Sequence, residues 1–302
     1  MDLCRADSAE FHRTLPVSNA EPVTLAIEIS KGDIEIAYSR DGEVTINASA
    51  QSSSQNKIDE TYFQIALGVA QVGNRISIQQ TPNFIIPDDN LKLRYRIDVP
   101  YRTEITSSIK QGKQTVRGVT GPVDLKGNGD VSVAYVSGTV TVELERGNFD
   151  CQMIGDRVVA RSSTGNISAE RLPKGIHAET GDGDINLMVI GPSEATVQAG
   201  SGRIEVGGAR DTLSAATDSG DIRVQAVPHA DWNLNSNSGS IRLELPPQAA
   251  FDLQASSDTG KLQIDRDDLP AVSPDTRTLS QKVNGGGRKI AASTKNGAIW
   301  IH

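Results

Sequence analysis

Short runs in which apolar residues alternate with polar ones recur along the chain, and most begin just after a glycine. The frame Gly-x-Φ-x-Φ, with Φ apolar, follows Gly32, Gly42, Gly121, Gly129, Gly138, Gly147, Gly165, Gly183, Gly202, Gly220, Gly239, Gly260 and Gly297, and Gly68 also fits. A period of two puts both apolar side chains on one face of a strand. Random placement of 28 glycines in a chain that is 37% apolar gives about four such frames, against the thirteen just named.

From Gly129 the intervals are 9, 9, 18, 18, 19, 18, 19 and 21 residues, ending at Gly260. A spacing that steady predicts a stacked array. Between the later glycines lies a second alternating strand without a leading glycine, carrying Val158/Ala160, Ile176/Ala178, Ala195/Val197, Leu213/Ala215, Trp232/Leu234 and Phe251/Leu253. The predicted fold is therefore all-β, a β-solenoid of 18–19-residue coils with two short strands each. Stacking like on like sets Ile167, Ile185, Ile204, Ile222, Ile241 and Leu262 in one interior column, with Ala169, Leu187, Val206, Val224, Leu243 and Ile264 beside it. Antiparallel hairpins also repeat every nine residues, but the alternation of strands with and without glycine makes the repeat 18 or 19, as stacked coils require.

Turns such as Ser163-Thr164-Gly165, Asp218-Ser219-Gly220, Asn237-Ser238-Gly239 and Asp258-Thr259-Gly260 read as corner chemistry, short polar side chains bonding a bending backbone. Before Gly112 the pattern is looser. The expected division is an N-terminal tail (1–20), an irregular β region or N-terminal cap (21–111), the regular solenoid (112–264), a loop (265–288) containing Pro270, Pro274 and Gly285-Gly286-Gly287, and a C-terminal capping coil (289–302).

Composition narrows the picture. Aromatics make up 4% of the 302 residues, which favours a thin core of Val, Ile, Leu and Ala. A net charge of −8 and a pI near 5.1 argue against a nucleic-acid partner. Cys4 and Cys151 form no framework or CxxC pair. No stretch approaches the ~20 apolar residues of a membrane span, and Met1 to Arg13 lacks the apolar centre of a signal peptide, so no location is predicted from these segments.

The sharpest catalytic candidates are Asp184, Arg203 and Asp221, which fall on successive coils at the first outward position, as in an acid–base site for an acidic polysaccharide. Alternating signs one coil apart are also how a solvated face neutralises itself, and Glu205 beside Arg223 repeats the pattern. The structural reading is preferred, with no catalytic residues expected. Asp182 and Asp184 in Gly181-Asp182-Gly183-Asp184 are the candidates for calcium, yet the Gly-Gly-x-Gly frame of calcium-binding nonapeptides is missing. His12, His177, His229 and His302 share no ligand spacing, so neither metal nor other cofactor is expected. Trp232 and Trp300 have the chemistry to stack on a sugar, although Trp232 occupies an inward slot.

The motif Ser219-Gly220-Asp221-Ile222, with Lys31-Gly32-Asp33-Ile34 near the N-terminus, resembles the DUF4097 family of candidate adhesins from roughly Glu21 to the C-terminus. The resemblance implies a β-solenoid of the bacterial cell envelope and supplies no catalytic residues to carry over. The expected role is non-enzymatic, an adhesin or interaction scaffold that binds a protein or polysaccharide of the envelope or surface. Self-assembly through exposed strand edges is the second reading, and a β-helix enzyme acting on polysaccharide the third.

Overall fold

The computed structural model describes residues 5–6, 8–51, 58–59, 63, 66–80, 91–188, 192, 194–269, 272–273 and 275–302. It is all-β, a solenoid of short strands laid into two long, mainly parallel sheets. Hairpins do not build the repeat: from Phe149 to Ile241 like strands pair in parallel with partners 18 or 19 residues away. Chain contacts divide it into two compact units, Met1–Leu144 and Glu145–His302.

In the second unit the glycine-led strands Ile167–Glu170, Ile185–Met188, Ile204–Gly207, Ile222–Gln225 and Ile241–Glu244 lie side by side. Their register aligns Ile167, Ile185, Ile204, Ile222 and Ile241, all buried, with Ala169, Leu187, Val206, Val224 and Leu243. The facing sheet stacks Val158, Ile176, Ala195, Leu213 and Trp232 opposite them. Each coil thus closes a narrow apolar interior that its neighbours continue, as the alternation predicts.

The order of the last coils corrects the expected C-terminal cap. Ile299–Ile301 lies between Ile241–Glu244 and Leu262–Ile264, and Arg288–Thr294 lies between Trp232–Ser236 and Phe251–Ser257. The C-terminal coil is therefore inserted and the coil of Phe251 and Leu262 is outermost. The interior column runs Ile241, Ile299, Leu262, and Trp232 meets Ile290, which in turn meets Leu253. Phe251 pairs with Arg288 and Trp232 with Ile290, so these two bulky aromatics fall at different positions along their strands in the thin core. The segment expected to be a loop contains the strand Thr278–Val283, which pairs antiparallel with Phe251–Ser257.

The first unit makes the same departure. Val23–Lys31 lies between Arg75–Gln80 and Thr103–Gln111, and Asp33–Tyr38 lies between Lys92–Val99 and Gln114–Arg117. Leu67–Val72 adds antiparallel to Arg75–Gln80, and Glu43–Gln51 adds antiparallel to Lys92–Val99. The expected N-terminal tail is corrected as well, because Ser8–Pro16 is a nine-residue strand paired antiparallel with Glu43–Gln51. Its alternation is broken by Arg13, which shares a face with Ala9, Phe11 and Leu15, and only Ala9 and Leu15 are fully buried.

Candidate ligand-binding face

The residue after the repeat glycine occupies one corner of the coil, and at Asp33, Asn148, Asn166, Asp184 and Asp221 its side chain accepts a backbone N–H of the next coil. Asn148 Oδ1 accepts the N–H of Asn166 at 2.9 Å, and Asn166 Oδ1 accepts that of Asp184 at 2.8 Å. Asp184 Oδ1 accepts the N–H of Arg203 at 2.7 Å, and Asp221 Oδ1 accepts that of Ser240 at 2.8 Å. The first unit repeats the device, with Asp33 Oδ1 accepting from Lys113 N–H at 3.0 Å. Asp184, Arg203 and Asp221 are thus brought together as the sequence predicts, with both aspartates acting as acceptors for backbone amides.

The glycine itself has no room for a side chain. At Gly202, with φ +139°, a Cβ would stand 2.0 Å from the carbonyl oxygen of Gly183. Those glycine carbonyls accept hydrogen bonds from a buried hydroxyl column that sequence reasoning missed. Thr180 donates to Gly165 at 2.8 Å, Ser236 to Gly220 at 3.0 Å, Thr294 to Gly239 at 2.7 Å and Ser257 to Gly297 at 2.8 Å. The signal was present in the second unit, since the third inward position of the intervening strand is Ser162, Thr180, Thr217, Ser236 and Thr294, with Ala199 the exception between them.

Asp182 ends the strand Ile176–Asp182 and accepts from Ser201 Oγ at 2.7 Å, across Gly183 from Asp184. Among the described residues no three His, Cys, Asp or Glu side chains converge. His12 contacts Asn47, His177 contacts Glu179 at 2.5 Å, and His302 lies 3.6 Å from Asp265. Burial opposes ionisation of Glu179, but hydrogen bonds from Arg161 and His177 outweigh it and hold the carboxyl below its ordinary range. Cys151 is a buried free thiol in the interior column, and burial pushes its pKa up. Cys4 lies outside the described residues.

On the outward face of the glycine-led sheet one register row reads Glu205, Arg223, Arg242, Trp300, Gln263. Arg223 is neutralised by Glu205 at 3.4 Å and Glu244 at 2.8 Å. The Arg242 guanidinium lies 4.8 Å from the centroid of the Trp300 ring, and Trp300 Nε1 donates to Gln263 Oε1. A groove of about 260 Å³ is lined by three arginines, Arg203, Arg223 and Arg242, two carboxylates, Glu205 and Asp221, and by Ser240 and Trp300. Trp232 is buried, its Nε1 donating to the carbonyl of Asp211 at 3.1 Å. Of the two tryptophans, only Trp300 faces outward.

No helix among the described residues is long and apolar enough to cross a membrane. No curated protein matches the sequence. Among solved structures, a "putative adhesin" from Parabacteroides distasonis shares 14% identity over 80% of this chain and 98% of its own, with a TM-score of 0.50. A "putative adhesin" from Bacteroides fragilis shares 15% identity over 97% of this chain and 95% of its own, with a TM-score of 0.38. The model of the family described as Toastrack DUF4097 matches residues 23–302, including all three Gly-Asp-Ile motifs and every coil of the second unit, and the chain belongs to that family.

Proposed function

We propose that this protein is a non-enzymatic surface module of the bacterial cell envelope, an adhesin or interaction scaffold that presents rigid outward ladders to an envelope or surface component. The observation that carries this reading is the corner chemistry. The carboxylates best placed for acid–base work, Asp184 and Asp221, accept backbone amides of the adjoining coils, which commits them to holding the corners and accounts for their alignment without catalysis. Asp182, Asp184 and Asp221 are assigned structural roles. Family membership and the adhesin name carried by similarly folded proteins support the same reading.

The test is to incubate purified protein with cell-wall and exopolysaccharides and to measure retention and release of new chain ends together. Retention without new ends is the expected result. New ends that disappear in Asp184→Ala and Asp221→Ala variants would establish an enzyme and overturn the proposal.

Self-assembly is a second reading supported by one edge. Among the described residues, Leu262–Ile264 pairs on one side only, with Ile299–Ile301, whereas its companion strand Phe251–Ser257 is covered by Thr278–Val283. An open edge presents unpaired amides to another chain. Sedimentation velocity across a concentration series tests it: larger species at high concentration favour the scaffold, and a constant monomer refutes it.

A further inference from the structure

Of the three arginines in the groove on the outward glycine-led sheet, Arg223 is held by two glutamates. Arg242 is different: it is exposed and stacked on the Trp300 indole, and among the described residues no carboxylate pairs with it. A guanidinium lying on an aromatic ring keeps its N–H groups in its own plane, free at the edge, and the ring fixes its orientation in advance. That is the arrangement for bidentate capture of a planar oxyanion. The donor from Trp300 Nε1 to Gln263 Oε1 locks the ring in turn. Arg203 is exposed in the same groove, two strands across and two residues along from Arg242, a diagonal of about 12 Å between backbone positions.

We propose that this groove binds a linear acidic polysaccharide, with one carboxylate held by Arg242 over Trp300 and a second along the chain held by Arg203. The inference rests on the surface-module reading above and names its ligand class. The geometry favours a glycan over an acidic peptide. The strands under the groove are paired on both sides, so no edge is open there to a peptide backbone. The groove has no deep apolar pocket for side chains, while Ser240 and the neighbouring Gln263 offer hydroxyl and amide groups to sugar hydroxyls. A net charge of −8 means that the attraction is local to the groove and not a long-range field.

Trp300 provides a built-in reporter, because Trp232 is only 2% exposed. The experiment titrates the whole protein with a galacturonate oligomer, with its methyl-esterified neutral form and with polyglutamate. It follows calorimetric binding and the protection of tryptophan fluorescence from iodide. The expected result is binding of the uronate that protects Trp300 and weakens with added salt, with much weaker binding of the neutral form and the peptide. Arg242→Gln and Trp300→Leu each lower affinity by about tenfold or more, while the remote charge control Lys174→Gln stays within about twofold. Unchanged thermal unfolding of the two outward variants shows that folding is not the cause. Equal binding of the neutral oligomer or of polyglutamate, or uronate binding unaffected by both groove variants, overturns the proposal. Retention on another surface polysaccharide without uronate binding also overturns it and leaves the surface-module reading standing. Retention on no polysaccharide overturns it too and leaves the surface module with a protein partner.

Discussion

The two compact units use the same corners and differ inside them. In both, the aspartate after a glycine caps the next coil, as with Asp33 to Lys113 in the first and Asp184 to Arg203 in the second. In both, glycine stands on glycine: a Cβ on Gly112 would lie 2.0 Å from the Gly32 oxygen, as one on Gly202 would from that of Gly183. The interiors part company at the polar positions. In the second unit Thr180, Ser236, Thr294 and Ser257 all find a glycine carbonyl. In the first, Ser107 Oγ and Gln114 Oε1 are buried without a hydrogen-bond partner. Coils become regular where the interior hydroxyl and the glycine corner satisfy each other, and a buried polar atom outside that pairing costs stability.

If the corner is common to both units, breaking it has the largest effect in either. Gly112→Ala and Gly202→Ala each force a side chain into a backbone carbonyl at positive φ, and each is expected to cost about 3 kcal/mol or more in urea unfolding. Gly285, with φ +89° but nothing within 4 Å, isolates the conformational part, and Gly285→Ala is expected to cost about 1 kcal/mol. Similar losses at all three positions would show that close approach is not the reason for glycine.

Arg266 sharpens how the second unit ends. Its nearly buried guanidinium donates to the carbonyls of Leu245, Pro246, Pro247 and His302 and pairs with Asp268 at 2.6 Å. Arg266→Ala strands these acceptors and is expected to cost on the order of 3 kcal/mol, measured by the same unfolding. A loss below about 1 kcal/mol would show the clamp to be solvated.

The interior difference gives a smaller effect with opposite signs. Thr180→Val removes a hydroxyl that is bonded and should destabilise by about 1–2 kcal/mol, whereas Ser107→Ala removes one that is not and should be neutral or stabilising. Losses of equal size in both variants would erase the distinction drawn between the units.

The mildest probe is acid. The hydrogen bond from Arg266 holds the Asp268 carboxyl below its ordinary range, against a weaker opposing effect of burial. A depressed folded-state pKa stabilises above the ordinary aspartate value of ~4, and that contribution is lost as pH falls through the folded value. The wild type should lose more stability than Asp268→Asn between about pH 4 and pH 2. Parallel pH profiles would remove Asp268 from the account.

The chain by itself determined the repeat, because alternation fixes which side chains face inward and a steady interval fixes which coils are alike. It also placed Asp184, Arg203 and Asp221 in one line. Alike coils are interchangeable to such a pattern, however. Gly260 and Gly297 lead the same frame, and only the folded structure sets Ile299 between Ile241 and Leu262. Only the fold shows that the aspartates answer backbone amides, and only the fold lays Arg242 on Trp300, residues 58 positions apart in sequence that share a register row. The physical reason is that periodicity records the burial of each strand, while stacking order and outward contacts depend on which strand pairs with which, a long-range choice that local alternation does not encode.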